Sequence, residues 1–158
     1  MSNILAIETS QDACSVALQH EGRVFAEHTE EPRQHTQRVL GMVDTVLNDA
    51  GVQLKQLDAV AFGCGPGSFT GLRIAAGVTQ GLAYGAKLPV IPVCSLHILA
   101  VSWLAANPCD DIAIKVAIDA RMGELYTAEF SYSKGCWQVD KPPYLMKVNA
   151  EPPAFLDA

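Results

Sequence analysis

The residues with the clearest chemical pattern form the glycine-rich stretch FGCGPGSFTGLRIAAG, Phe62 to Gly77. A glycine-rich turn that opens a helix often binds phosphate, because free amides and the helix dipole favour an anion there. The phosphate-binding pattern GxxxxGK[ST] fits in no register, since the stretch contains no lysine. The dinucleotide pattern GxGxxG also fails, because Gly65, Gly67 and Gly71 are spaced as GxGxxxG. The sequence therefore leaves a structural turn and a ligand-binding loop as alternatives.

The residues after this loop predict a helix with unusual features. Ser68 or Thr70 can cap its N-terminus. Arg73 lies in its first turn, where the helix dipole disfavours a cation, which suggests an anion or an acidic partner nearby. Small residues recur at helical spacing at three positions, Gly77, Gly81 and Gly85. Each costs about 1 kcal/mol relative to alanine, so either the helix lies closely on its own sheet or a helix of another chain crosses it.

Two carboxylates occupy matching positions in a weak internal repeat. The stretch 115–131 aligns without gaps on 4–20, which places Ile118 opposite Ile7 and Asp119 opposite Glu8. In a two-lobed protein this pair could face one cleft and hold a metal–nucleotide complex. The alternative is that each carboxylate caps the turn that follows it. No zinc-ligand spacing and no catalytic triad stands out from the positions of the histidines, cysteines and serines.

The elements that must position these residues follow an α/β order. Three short strands open the chain and are followed by a helix at 33–50 and a strand at 56–63. After the glycine loop come a helix at 71–85, a short strand at 87–94 and an apolar helix at 95–106.

The strand pattern then restarts, which predicts a first lobe over 1–107 and an incomplete second lobe over 108–158. Pro32 is predicted to open the first helix, and two proline pairs predict an extended or irregular C-terminal stretch.

Composition narrows the class of protein. The 158 residues include 49% hydrophobic residues and carry a net charge of −6. An acidic chain is a poor autonomous nucleic-acid binder, because phosphate backbones are held mainly by lysine and arginine. We find neither an export signal nor a membrane-spanning run, and the five scattered cysteines suit reduced, buried thiols, so we expect a cytoplasmic protein.

The chain resembles the TsaB (YeaZ) family of bacterial proteins that synthesise threonylcarbamoyladenosine in tRNA. The resembling stretches are ILAIETS with CSVAL, RQHTQRVLGMVD, GCGPGSFTGLRIAAGVTQGLAYG, IPVCSLHILA and AIDARMGELYTAEF. The most specific parts are GPGSFTGLRI and DARMGELY. This resemblance implies an actin-like (ASKHA) fold of two ribonuclease-H-like lobes, with the second lobe incomplete in this chain.

The resemblance further implies a subunit without catalytic residues of its own. The related TsaD protein transfers the threonylcarbamoyl group to the adenosine beside the anticodon, and it binds its metal through two histidines spaced four residues apart. Those positions correspond here to Ser95 and Leu99, so we expect no metal site. The nucleotide-like cleft would then be vestigial, and its residues would be Glu8, Thr9, Ser10, Gly65, Gly67, Ser68 and Asp119.

The family also implies partners. We expect TsaD as the main partner, TsaE as a further member of the assembly, and a homodimer through the same helices when the chain is alone. ATP and Mg²⁺ would act only through the partner complex, and tRNA only indirectly. The predicted interface lies on the first two helices, off the stripe formed by Val39, Val43 and Leu47. Its residues are Arg38, Met42, Thr45, Arg73, Gly77 and Gly81.

Besides a homodimeric module that binds an unrelated ligand, two other functions remain open from the sequence. One is an actin-like ATPase or kinase that uses Glu8, Asp119 and the glycine loop. The other is a glycoprotease-like peptidase, which the missing histidine pair disfavours.

Overall fold

The computed structural model of the protein describes residues 2–31 and 34–148. The chain divides into two compact units, and the boundary between them follows Val93. No helix within the described ranges is long and apolar enough to cross a bilayer.

The first unit is a five-stranded sheet with two long helices. Its elements are β1 (Ile4–Glu8), β2 (Cys14–His20), β3 (Arg23–Thr29), α1 (His35–Ala50), a short 3₁₀ turn (Leu54–Gln56), β4 (Ala59–Gly65), α2 (Phe69–Ala86) and β5 (Val90–Cys94). The strand order is β3-β2-β1-β4-β5. β1 pairs antiparallel with β2 and parallel with β4, so its carboxyl end lies beside the start of the glycine loop.

Alternation along the strands builds the core of this unit. Leu5 and Ile7 on β1 are buried on one face of the sheet, together with Val16 on β2 and Val60 on β4. α1 packs mainly against β2 and β3, whereas α2 packs mainly against β4. Both helices contribute side chains to the same core, and burial of such apolar surface is the main force that holds them on the sheet.

The second unit consists, in its described part, of one helix and an antiparallel meander. Its elements are α3 (Ser95–Ala106), β6 (Asp111–Arg121), β7 (Glu124–Ser133) and β8 (Cys136–Lys147). Leu96 and Ala100 on α3 are fully buried in a cluster with Val116 and Phe130. α3 therefore groups with the second unit, and the unit boundary lies before this helix, whereas the sequence analysis drew the lobe boundary after residue 107.

Local signals place the element bounds within a few residues of the structure. The prediction for α3 matches it, and α2 begins at Phe69, two residues before the predicted start, because Ser68 caps it. β8 continues through Pro142 and Pro143, where its pairing with β7 shifts register. Prolines are tolerated there because β8 is an edge strand of the sheet that residues 34–148 form. Pro32 and the second proline pair lie outside the described residues.

Candidate functional site

The glycine loop follows β4 and leads directly into α2, and it is held by the residues that end β1. The Thr9 hydroxyl donates a hydrogen bond of 2.7 Å to the carbonyl oxygen of Gly71. The Ser68 amide donates one of 2.7 Å to the carbonyl oxygen of Ser10. Thr9 and Ser10 are both buried. An amide at the start of α2 is thus already used within the chain.

The glycines of this loop are required by close packing. A Cβ atom on Gly67 would lie 2.6 Å from the Ser10 carbonyl oxygen. A Cβ atom on Gly71 would meet the Thr9 carbonyl oxygen well inside 3.0 Å, a separation that real Cβ atoms essentially never show. Gly65 has a φ of +99°, which favours glycine over residues with a side chain. The loop therefore has the properties of the structural turn that the sequence left open.

The two repeat-related carboxylates make the same local contact. Glu8 Oε1 accepts a hydrogen bond of 2.6 Å from the amide of Ser10. Asp119 Oδ1 accepts one of 2.8 Å from the amide of Arg121. Each carboxylate caps the residue two positions ahead, as the structural alternative predicts. Glu8 belongs to the first unit and Asp119 to the second, and a shared cleft between them stays a prediction.

The second oxygen of Glu8 faces the backbone of β4 at Gly63. Oε2 is buried without a hydrogen-bond partner among the described residues, and a Cβ atom on Gly63 would collide with it. Nowhere in the described ranges do three or more His, Cys, Asp or Glu side chains cluster as metal ligands would. Ser95 is buried at the start of α3, and Leu99 is exposed on the same helix.

The glycine stripe of α2 faces away from the sheet. The buried positions of this helix are Gly71, Ala75, Thr79 and Ala83. Gly77 and Gly81 are exposed, and a Cβ atom added at either would meet nothing within 4 Å. Of the two alternatives for these glycines, close packing on their own sheet is therefore wrong.

Two exposed aromatic residues flank this stripe, and the sequence analysis missed both. Phe69 is 68% exposed and Tyr84 is 88% exposed. The Arg73 guanidinium lies 3.8 Å from the centroid of the Phe69 ring, a cation–π contact within the helix itself. At 100° per residue Phe69, Arg73 and Tyr84 fall on one side of α2 together with Gly77, so helical periodicity could have identified them.

On α1, two of the three predicted interface residues are exposed. Arg38 forms an ion pair of 2.6 Å with Glu31, and the Thr45 hydroxyl donates to the carbonyl oxygen of Gly41 at 3.0 Å. Leu40, which the sequence analysis missed, is 51% exposed on this helix.

The prediction for Met42 is wrong. It is only 7% exposed, and its Sδ atom lies 3.7 Å from the Sγ atom of Cys14 in the core. The buried stripe of α1 consists of His35, Val39, Met42, Val43 and Val46. These positions follow the i, i+3, i+4, i+7 spacing of a helix that faces a core, which leaves Leu47 half-buried at its margin.

Comparison with known proteins identifies the family. The model of the family described as TsaD, tRNA N6-adenosine threonylcarbamoyltransferase, matches residues 23–152. The chain is 46% identical to the tRNA threonylcarbamoyladenosine biosynthesis protein TsaB of Escherichia coli over 91% of its own length and 62% of that protein. It is also 46% identical to TsaB of Haemophilus influenzae, over 80% of this chain and 52% of that protein. The chain thus spans little more than half the length of these relatives.

A solved structure agrees with this assignment. YeaZ from Pseudomonas aeruginosa is 42% identical and superposes with a TM-score of 0.89, covering 100% of this chain and 73% of that one. Identity at this level extends the likeness from the fold to the family. The chain therefore belongs to the TsaB (YeaZ) family of tRNA threonylcarbamoyladenosine biosynthesis proteins and has an actin-like α/β fold.

Proposed function

We propose that this protein acts in the synthesis of threonylcarbamoyladenosine in tRNA as a non-catalytic subunit that binds and activates TsaD. The relatives carry that pathway in their names, and the TsaD family model itself matches most of the chain. In this proposal the chain and TsaD share one fold and assemble through equivalent helices. Such an assembly would explain why a chain with few candidate catalytic residues has the fold of the enzyme TsaD.

The outer face of α2 is the observation that carries this proposal. We define it by Phe69, Arg73, Gly77, Gly81 and Tyr84, all of them exposed. Exposed glycines inside a helix lower its stability and make no compensating contact among the described residues, but they allow a second helix to approach closely. Aromatic residues and arginine are the types that most often anchor protein interfaces.

α1 would extend the same surface, because α1 and α2 contact each other. Leu40 adds an exposed apolar side chain, while Arg38 and Thr45 supply polar groups. Because Leu40 lies about 140–160° around α1 from Arg38 and Thr45, these side chains would stand on the two flanks of the outer face of α1.

The local chemistry of the glycine loop supports a non-catalytic role. Glu8 and Asp119 are engaged as turn caps, and the Ser68 amide is bonded to Ser10. We propose that ATP and Mg²⁺ act through the partner complex, that TsaE joins that assembly in the cytoplasm, and that tRNA is contacted indirectly. In the absence of TsaD, a second copy of this chain would bind to the same surface of α1 and α2.

A binding and activity assay with TsaD of the same organism tests the proposal. Gly81→Arg places a long charged side chain on the outer face of α2, and we expect heterodimer affinity to fall at least about tenfold, or ~1.4 kcal/mol. Val24→Arg adds the same charge at a residue that is 69% exposed on β3, the strand at the opposite edge of the sheet from β5, and should leave affinity unchanged. Equal affinities for the two variants would contradict the proposed interface.

A second pair of variants tests the absence of catalysis. Glu8→Gln keeps the acceptor for the Ser10 amide and removes the charge, and Asp119→Asn does the same for Arg121. We expect tRNA modification by the complex to persist in both variants, and the isolated chain to bind no Mg²⁺–ATP. Loss of modification in an intact heterodimer would instead support the ATPase or kinase alternative.

A further inference from the structure

We propose that the turn after β1 is a positioning device that sets where α2 stands on the sheet, and thereby makes its outer face fit the partner. We name the contact between this turn and the start of α2 the β1–α2 junction. Its residues are Glu8, Thr9, Ser10, Gly67, Ser68 and Gly71. The inference rests on the proposed function, because it assigns these residues to partner binding at a distance.

The junction joins the turn to α2 through contacts of several kinds. The Thr9 hydroxyl reaches the carbonyl oxygen of Gly71 within the first turn of the helix, at 2.7 Å. The carbonyl oxygen of Ser10 receives the amide of Ser68, the N-cap residue, also at 2.7 Å. Glu8 fixes the turn itself through the Ser10 amide. These bonds fix the distance of the first turn of α2 from the end of β1 and the rotation of α2 about its own axis.

Steric contact removes the remaining freedom. The backbone of Thr9 fills the space where Gly71 would carry a side chain, and Ser10 fills that of Gly67. Rigid backbone cannot give way as a flexible side chain can, so the helix start has one position at this distance from β1. Arg73 and Gly77 follow within two turns, and a shift at Gly71 is therefore transmitted to the outer face.

A buried turn of this kind also explains the polar residues at the end of β1. Thr9 is 0% exposed and Ser10 is 1% exposed, so they are not available to bind a ligand from solvent. Buried polar groups are retained where they form hydrogen bonds that specify one arrangement. Here that arrangement is the position of α2 on the sheet.

The test measures partner affinity in variants of the junction. Gly71→Ala forces α2 away from Thr9, and we expect the dissociation constant for TsaD to rise at least about tenfold, because packed interfaces tolerate little displacement. Thr9→Val keeps the shape but removes the hydroxyl, and we expect a rise of about two- to tenfold, the range of one neutral hydrogen bond. Thr9→Ser restores the hydroxyl and should recover most of the affinity.

Loss of stability alone must not account for the result. Val116→Ala is the control, because Val116 is buried in the second unit, in a cluster that contains no residue of α1 or α2. It should lower the melting temperature and leave the affinity of the folded protein unchanged. Hydrogen exchange provides a second measurement: the amides of 72–75 should exchange faster in Thr9→Val, while those of α1 should not.

The outcomes separate the two proposals. If Gly81→Arg weakens binding but Gly71→Ala and Thr9→Val bind as well as Val116→Ala, the interface stands and the positioning role is refuted. If Gly81→Arg binds normally, the proposed interface fails and the positioning role fails with it. If Gly71→Ala does not fold, Thr9→Val with its Thr9→Ser rescue decides the question alone.

Discussion

Glycines on the two sides of α2 should respond to alanine with opposite signs. At Gly77 and Gly81 an added Cβ atom meets nothing within 4 Å, so alanine gains only its higher helix propensity. That gain is about 1 kcal/mol for each position, or about 2 kcal/mol for the double variant. For a chain of this size, 1 kcal/mol corresponds to roughly 2–4 °C, so the melting temperature should rise by about 4–8 °C.

At Gly71 the same substitution should be destabilising. The new Cβ atom would collide with the backbone oxygen of Thr9, and the helix must move to relieve the contact. Overpacking of this kind costs about 1–3 kcal/mol, more than the gain in helix propensity is expected to offset. Thermal and urea unfolding followed by far-ultraviolet circular dichroism measure both changes on the isolated chain.

The opposite results would be a lower unfolding free energy in Gly77→Ala and Gly81→Ala, or a higher one in Gly71→Ala. Either result would mean that the backbone of α2 is not seated as described. The stabilised double variant also tests function, because it should bind TsaD more weakly although it is the more stable protein. Such a trade-off between stability and binding is expected where glycines allow a partner to approach closely.

Three further predictions concern other parts of the chain. Met42→Ala should cost about 2–5 kcal/mol of unfolding free energy because it leaves a cavity, whereas Leu40→Ala on the exposed side should be near neutral in urea unfolding. Burial raises the pKa of the Cys14 thiol, so alkylation followed by mass spectrometry should modify it only when the first unit unfolds. The hydrogen bond from Lys141 lowers the pKa of Glu129 below its ordinary value of 4.5. Glu129 therefore stabilises the fold at pH values above 4.5, and this stabilisation is lost as the pH falls through the lowered pKa. In acid-unfolding curves Lys141→Gln should make the unfolding free energy fall less over this pH range.

Helices and strands were predictable here because their signals are local. The apolar run at 95–106, ended by Asn107 and Pro108, gives α3 its bounds. Gly51 adopts a φ of +67° after α1, as a C-terminal glycine should. Such signals depend on a few neighbouring residues, and tertiary packing did not override them.

The assignment of individual helix faces was less secure. A stripe of Val39, Val43 and Leu47 is a valid apolar line, but the true stripe turns toward Met42 and Val46. The difference is one position around the helix, and it depends on how α1 is rotated against β2. The spacing i, i+3, i+4, i+7 and the line i, i+4, i+8 both occur among the apolar residues of α1, so the packed sheet decides between them.

Glycine spacing was the least decisive signal, since it records close approach without naming what approaches. Gly67 and Gly71 look like a ligand loop, yet the space beside them is filled by the chain's own turn at Ser10 and Thr9. Gly77 and Gly81 are likewise two glycines four residues apart, and a Cβ atom on either would meet none of the described residues within 4 Å. The first pair is explained by folding of this chain alone. The second pair lowers helix stability with no contact in return, and that unexplained cost is the physical reason to look for a partner on α2.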